Sequence, residues 1–211
     1  MCASMLRERS SESTWSPRCY FRSDMGFLVG TNYRGNRAPY NGRFGGGSMS
    51  NPRFLGYHVD TNRNVFLLSV ASLSPAPAIL ELRSQHFTCF CAMDATASAA
   101  ADLGKFCSSL LRSGCAYLCA WGPDCERVHD IMDELVVGED PPQTYVGCVM
   151  TTWHANDSLK GALEYFLDCT VPDSDYAPNG CDWALIISVG SPAWDAMIEQ
   201  YVATRTVSTS S

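Results

Sequence analysis

No apolar run approaches the roughly 18 residues needed to span a bilayer, which excludes a transmembrane helix. No secretory-type apolar segment stands near Met1 either, so a soluble protein is expected. Lysine is nearly missing: only Lys105 and Lys160 occur, both in predicted helices. A receiver-type phosphoacceptor site needs a strand-end lysine beside its acids, so that class is excluded. No Gly-x-Gly-x-x-Gly follows a strand and no P-loop occurs, which removes the dinucleotide and nucleoside triphosphate fingerprints. The Gly-x-Ser-x-Gly elbow of α/β-hydrolases is missing too. There is no CxxC pair, so zinc ribbons and thioredoxin-like motifs are unsupported. The acidic loop from Asp168 to Asp182 lacks the EF-hand spacing of acids and glycine. No cofactor and no metal are therefore expected.

Charge is unevenly spread. The net charge of −7 divides at residue 64. Up to there nine Arg face four acids, net +5; beyond it six basic groups face eighteen acidic ones, net −12. An acidic folded part repels phosphate backbones, so no nucleic-acid partner is expected. The eleven cysteines fall mostly inside or beside apolar runs (Cys89, Cys91, Cys115, Cys119, Cys148, Cys181) or on an apolar helix face (Cys107). Cysteine there behaves as a small buried hydrophobe. With no mark of secretion, a reduced, cytoplasmic protein is expected.

Residues 1–48 differ from the rest. They hold Ser and Arg clusters and a Gly-rich stretch ending in Gly45-Gly46-Gly47-Ser48, with no sustained apolar period. Such a segment buries too little apolar area to offset its ordering entropy. It reads as a disordered tail or as residues upstream of a true start at Met49, ahead of a targeting sequence. Residues 49–211 read as one domain.

Within that domain a pattern repeats four times: a short apolar run, a turn, then an amphipathic helix. The pairs are His86–Met93 with Ala95–Arg112, Cys115–Ala120 with Pro123–Val137, Tyr145–Thr152 with Asp157–Cys169, and Trp183–Val189 with Pro192–Ala203. Leu103, Phe106, Cys107, Leu110 and Leu111 follow the i, i+3, i+4, i+7, i+8 spacing, as do Leu159, Ala162, Leu163, Phe166 and Leu167. Asn64–Val70 is a further strand. The expected fold is α/β: a three-layer sandwich with a mostly parallel sheet of about four to five strands and helices on both faces, Rossmann-like or flavodoxin-like.

In such a sheet ligands bind beyond the carboxyl ends of the strands. That rule selects Asp94, the segment Trp121-Gly122-Pro123-Asp124, the segment Trp153-His154-Ala155-Asn156-Asp157, and Gly190-Ser191. Capping alone explains Asp94, Asp124, Asp157 and Ser191 one by one, each worth about 1 kcal/mol. Trp121 and Trp153 serve equally as covers for the sheet edge. His154 has neither core period nor capping preference. Cys125, His129 and Asp133 stand four apart along one helix, which aligns them in a stripe. A first-turn Cys125 with His129 as its base makes a thiol site, though a boundary cysteine beside a surface histidine is the plainer account.

The stretch Cys115–Asp133, with Thr151-Thr152-Trp153-His154 and the Glu164–Asp168 region, resembles an uncharacterised bacterial α/β domain family of unknown function. The resemblance spans about residues 64–203 and implies a bacterial, cytoplasmic protein; it implies no activity.

The leading expectation is a small acidic domain that binds a partner protein or a small ligand at the strand carboxyl edge. Trp121, Trp153, His154, Asp157 and Ser191 supply the contacts, and Asp94 or Asp124 the polar anchors. The alternative is a small hydrolase or transferase, with His154 as general base oriented by Asp94 or Asp124, or with Cys125 and His129 as a thiol pair. A membrane partner is not expected.

Overall fold

The computed structural model describes residues 52–73, 84–138 and 146–207. The readings for residues 1–48, and the start at Met49, lie outside the described residues. No described helix is long and apolar enough to cross a membrane.

The described residues form one seven-stranded sheet with four helices. The strands are β1 (Arg53–His58), β2 (Asn64–Val70), β3 (Phe87–Ala92), β4 (Cys115–Trp121), β5 (Met150–His154), β6 (Trp183–Val189) and β7 (Thr206–Val207). The helices are α1 (Ala100–Arg112), α2 (Cys125–Val137), α3 (Leu159–Cys169) and α4 (Pro192–Ala203). A 3₁₀ segment, Ser174–Asn179, precedes β6.

The sheet order is β5-β4-β3-β6-β2-β1-β7. β2 to β6 run parallel to their neighbours within that group. β1 lies antiparallel to both β2 and β7. The α/β class is as expected, but two features correct the finer expectation. The sheet is mixed and has seven strands rather than four to five. Counted from β3, the four repeated units stand in the order 3-2-1-4 of the classic Rossmann sheet, but β2, which precedes them in the chain, lies beyond β6 and departs from it. The additions arise where the helical period does not reach. β1 is a short hairpin partner of β2, bulged between Phe54 and Gly56. β7 is two residues paired to β1.

Burial explains which runs became central strands. Every residue of β3 is buried, as are the first six residues of β4 and of β6. Strands covered on both faces read as continuous apolar runs, not alternating ones. One face packs Val65, Leu67, Phe90, Cys119, Ala184 and Ile186 against α3 and α4. Phe166 of α3 meets the ring of Phe90 at 5.5 Å. The alternate side chains, among them Cys89, Cys91 and Leu118, point the other way, towards α1 and α2. The two helix pairs hold together on their own sides.

Helix starts follow local chemistry. The Ser158 hydroxyl accepts from the Gly161 amide at 3.1 Å and caps α3. Ser191 accepts from the Trp194 amide at 3.4 Å, with Pro192 at the first helical position of α4. α1 begins at Ala100, five residues later than its apolar period suggests. The Asp94 carboxylate accepts from both the amide and the hydroxyl of Thr96, closing a turn ahead of the helix.

The amino ends of the parallel strands are closed by a buried guanidinium. Arg63 donates to Thr61 Oγ1, Thr88 Oγ1, Thr170 Oγ1 and the carbonyls of Phe166 and Leu167. The last two are carbonyls in the final turn of α3, where a cation suits the helix dipole. Every direction of the guanidinium is used.

The expectation of a fully reduced cysteine set is corrected in part. Cys148 and Cys169 are disulfide-bonded. Seven other described cysteines are free, six of them buried. The apolar context that suggested buried thiols holds for Cys89, Cys91, Cys107, Cys115 and Cys119; Cys181 is only partly buried, and Cys125, read as a boundary cysteine, is buried as well. Cys148 and Cys169 stand just before β5 and at the last residue of α3, both partly exposed.

Candidate functional site at the strand carboxyl edge

Register places one row of residues straight across the sheet near the carboxyl ends. His154 of β5 pairs with Trp121 of β4, Trp121 with Ala92 of β3, Ala92 with Ser188 of β6, and Ser188 with Ser69 of β2. Registered neighbours on parallel strands share a face, and Ala92 places this row on the α3/α4 side. Small Ala92 sits at the centre of the row, between the indole of Trp121 and the hydroxyl of Ser188.

His154 is fixed at one nitrogen and open at the other. Its Nδ1 lies 2.7 Å from Asp157 Oδ2. Its Nε2 is buried and has no hydrogen-bond partner. Beside it the Tyr165 ring packs at 4.7 Å, and the Tyr165 hydroxyl meets that of Tyr117 at 3.1 Å. Burial, then the Tyr165 hydroxyl, holds the Tyr117 phenol far above its ordinary range, so it stays a neutral hydroxyl. The Trp121 indole N–H donates to the Asp157 carbonyl at 2.8 Å, tying β4 to the loop before α3. Trp194 of α4 meets Trp121 edge-on at 5.2 Å.

Two more polar atoms on this edge are buried without a hydrogen-bond partner: Ser188 Oγ and Asp195 Oδ1, the latter in the first turn of α4. Buried polar atoms in folded proteins are nearly always paired, so unpaired ones point to a missing partner. With Nδ1–H given to Asp157, Nε2 is an acceptor, as is Asp195 Oδ1. Each suits a group that brings an N–H or O–H donor.

The sequence-selected residues are distributed unevenly. His154, Trp121 and Asp157 come together as described. The carboxylate beside His154 is Asp157, not Asp94 or Asp124. Asp94 is exposed and bound to Thr96, whose hydroxyl and amide hold its carboxyl below the usual range. Asp124 precedes α2 in the left-handed region (φ 59°) and pairs with Arg127 Nε at 2.7 Å. Arg127 also donates to the carbonyls of Ala95 and Ser98, so this group binds the β3 and β4 loops to each other. Gly122 allows that close approach: with φ 116°, a Cβ there lies 2.3 Å from the Met93 carbonyl oxygen. Ser191 is spent as the α4 cap.

Trp153 is 41% exposed and points away from the row, with its ring 4.4 Å from His129. His129 contacts Asp130 at 3.1 Å and Asp133 at 3.5 Å. Cys125 is buried in the first turn of α2. Burial pushes its thiol up, and the amides of His154, Gly122 and Cys125 itself oppose that only in part.

Sequence reasoning missed Tyr165, Ser188 and Asp195 as site residues. Ser188 carried a visible signal, as a lone hydroxyl inside the otherwise apolar run Trp183–Val189. Asp195 was legible only as a first-turn acid matching the helix dipole. Tyr165 stands outside the apolar spacing of α3 and gave no signal.

Residues 65–205 match the model of a protein family described as a domain of unknown function, DUF7684. The chain belongs to this family. The matched stretch contains every carboxyl-edge residue named above. A search of curated proteins returned no match.

Proposed function

We propose that this DUF7684 domain is a binding module that takes a small ligand at the carboxyl edge, on the α3/α4 side. The ligand class is a neutral or cationic molecule carrying hydroxyl or amine donors. The observation that carries this is the His154 imidazole, fixed through Nδ1 and unpaired at a buried Nε2. Ser188 and Asp195 add polar atoms without partners on that side, and Trp121, Trp194 and Tyr165 supply apolar walls. Such a combination of apolar lining and a few oriented polar groups is what small-molecule sites use. The net charge of −12 beyond residue 64 favours cations over anions and argues against nucleic acid.

Screening small amines, polyols and amides by chemical-shift perturbation tests this. Binders should move the resonances of His154, Ser188 and Trp121, and His154→Ala should abolish the response. Binders that leave those resonances unmoved, or that bind His154→Ala equally well, overturn it.

A second reading is a hydrolase or transferase with His154 as general base and Asp157 orienting it. It is supported by the 2.7 Å contact, since an oriented imidazole with a free Nε2 is the working half of a general-base pair. The thiol version with Cys125 and His129 has weaker support, because His129 turns to Asp130 and Asp133. A protein partner would instead use exposed Trp153 and Met150 on β5. A cytoplasmic setting and a bacterial source belong to the proposal as well. The seven free cysteines support the former and the disulfide-bonded Cys148 and Cys169 oppose it. Thiol trapping in intact cells followed by mass spectrometry decides between them.

A further inference from the structure

A second histidine–carboxylate group lies at the opposite, amino end of the sheet. His58 ends β1, Asp60 sits in the β1–β2 turn, and Asp168 is near the last residue of α3. One ligand atom from each lies within 4.8 Å of the others. The His58 side chain is fully buried, and its Nε2 has no aligned hydrogen-bond partner although Asp168 Oδ1 is 3.2 Å away. The nitrogen is therefore aimed into a carboxylate cluster without being satisfied by it.

We propose that His58, Asp60 and Asp168 bind a divalent transition-metal ion, with Arg205 as its competitor. One imidazole and two carboxylates suit zinc or manganese, and leave a position on the ion for water or a ligand. The other ring nitrogen is already oriented. Thr61 Oγ1 stands 2.9 Å from Nδ1 and the Thr61 amide 3.3 Å. With the proton on Nδ1 the hydroxyl accepts it, and the Nε2 lone pair is free for a metal. With the proton on Nε2 both Thr61 groups donate to Nδ1 instead. The Thr61 amide donates to Nδ1, so the ion-free ring carries its proton on Nε2. Metal binding displaces that proton and shifts the ring to the first tautomer, the usual arrangement for a ligating histidine held by an outer hydrogen bond. Arg63 Nε donates to the same hydroxyl at 3.2 Å and fixes it further.

Arg205 Nη2 contacts both Asp168 oxygens, at 2.6 and 2.5 Å, and Asp60 at 3.7 Å. It supplies the positive charge these carboxylates require when no ion is bound. Its side chain and that of Asp60 are 30% and 69% exposed, so both can rotate. Zinc holds its ligands about 2.0–2.2 Å from the ion, so Asp60 must swing inward and Arg205 outward. His58 and Asp60 precede the family-matched residues, whereas Asp168 and Arg205 fall within them.

Titration of the full chain with Zn²⁺ and Mn²⁺ by calorimetry tests the proposal, with Co²⁺ absorption separating imidazole and carboxylate ligation from thiolate. One ion should bind without a thiolate charge-transfer band. His58→Gln and Asp168→Asn should each weaken binding about 10-fold or more, as ligand-shell changes do. Arg205→Gln should strengthen it. If the buried His58 variant fails to fold, Asp60→Asn at the exposed turn carries the same expectation. Absence of binding, a thiolate spectrum, or affinity unchanged in Asp60→Asn and Asp168→Asn overturns the site.

Discussion

The two ends of the sheet each hold a histidine beside an aspartate, yet they are built differently. At the amino end His58 and Asp168 sit among Arg63, Arg205 and Thr61, a group whose charges are balanced from within the chain. At the carboxyl end His154 and Asp157 have no cation in contact among the described residues, and the neighbours are rings. At the amino end the fold is secured by buried Arg63, while Arg205 supplies the charge that Asp60 and Asp168 need when no ion is bound. At the carboxyl end no cation faces the aimed imidazole of His154, stability gains little from it, and recognition of a neutral or cationic donor is the better account of why it is there. Arg63 shows the securing role most plainly, since its five hydrogen-bonding directions all end on protein atoms.

The largest test of that contrast is Arg63→Ala. It removes the C-terminal partner of α3 and leaves Thr88, Thr170 and two carbonyls without their donor. The loss should be about 3 kcal/mol or more, read as a fall in the urea midpoint. A loss below about 1 kcal/mol would put Arg63 outside the stabilising network.

Acid should act next, and from the amino end. His86 precedes β3, with its ring nitrogens buried and its ring edge-on to Tyr176 at 4.9 Å. Burial lowers its affinity for a proton below the ordinary value of 6.5, with the Gly114 backbone pulling the other way. The folded state thus binds fewer protons than the unfolded one. Stability should be full above pH 6.5, fall as pH drops below it, and level off beneath the folded-state value. His86→Gln should flatten that limb of the urea-midpoint profile. An unchanged limb would assign the acid response elsewhere.

Ser158→Ala removes the cap of α3 close to the candidate site and should cost about 1 kcal/mol. It should leave ligand-induced shifts at His154 in place, because the cap acts on the helix and not on the ring. Loss of those shifts would make the site dependent on α3 fraying. Smallest in stability is His154→Gln, at about 0.5 kcal/mol or less, since it forfeits one contact to a half-exposed carboxylate. A loss comparable to that of Arg63→Ala would reverse the contrast and make His154 structural. Thiol labelling at neutral pH adds a kinetic check: buried Cys125, with its thiol pushed up, should react no faster than the other buried cysteines. Rapid labelling would restore the thiol reading.

Much of this architecture was legible because burial writes itself into sequence. The runs at Phe87–Ala92, Cys115–Trp121 and Trp183–Val189 are apolar but for Thr88 and Ser188, and the helices between them keep a clear 3.6 period. β1 and β7 were not legible. β1 mixes exposed and buried residues around a bulge, and β7 is two residues long, so neither carries a period. Strand order also lay beyond reach, because it depends on which crossovers pack and not on any local run. At the site, topology alone brought His154, Trp121 and Asp157 to one edge. The partner carboxylate was misjudged between loops because Asp94 and Asp124 are engaged by Thr96 and Arg127, contacts that spacing does not reveal. Residue Ser188 was overlooked because one hydroxyl in a buried strand reads as tolerated polarity until its missing partner is seen.

The most direct test of the central claim is the tautomer of His154, read from its ¹⁵N imidazole shifts by NMR. The account predicts a neutral ring with the proton on Nδ1, given to Asp157, and Nε2 unprotonated. A proton found on Nε2 would contradict it, because the nitrogen offered to a ligand's donor would itself be a donor.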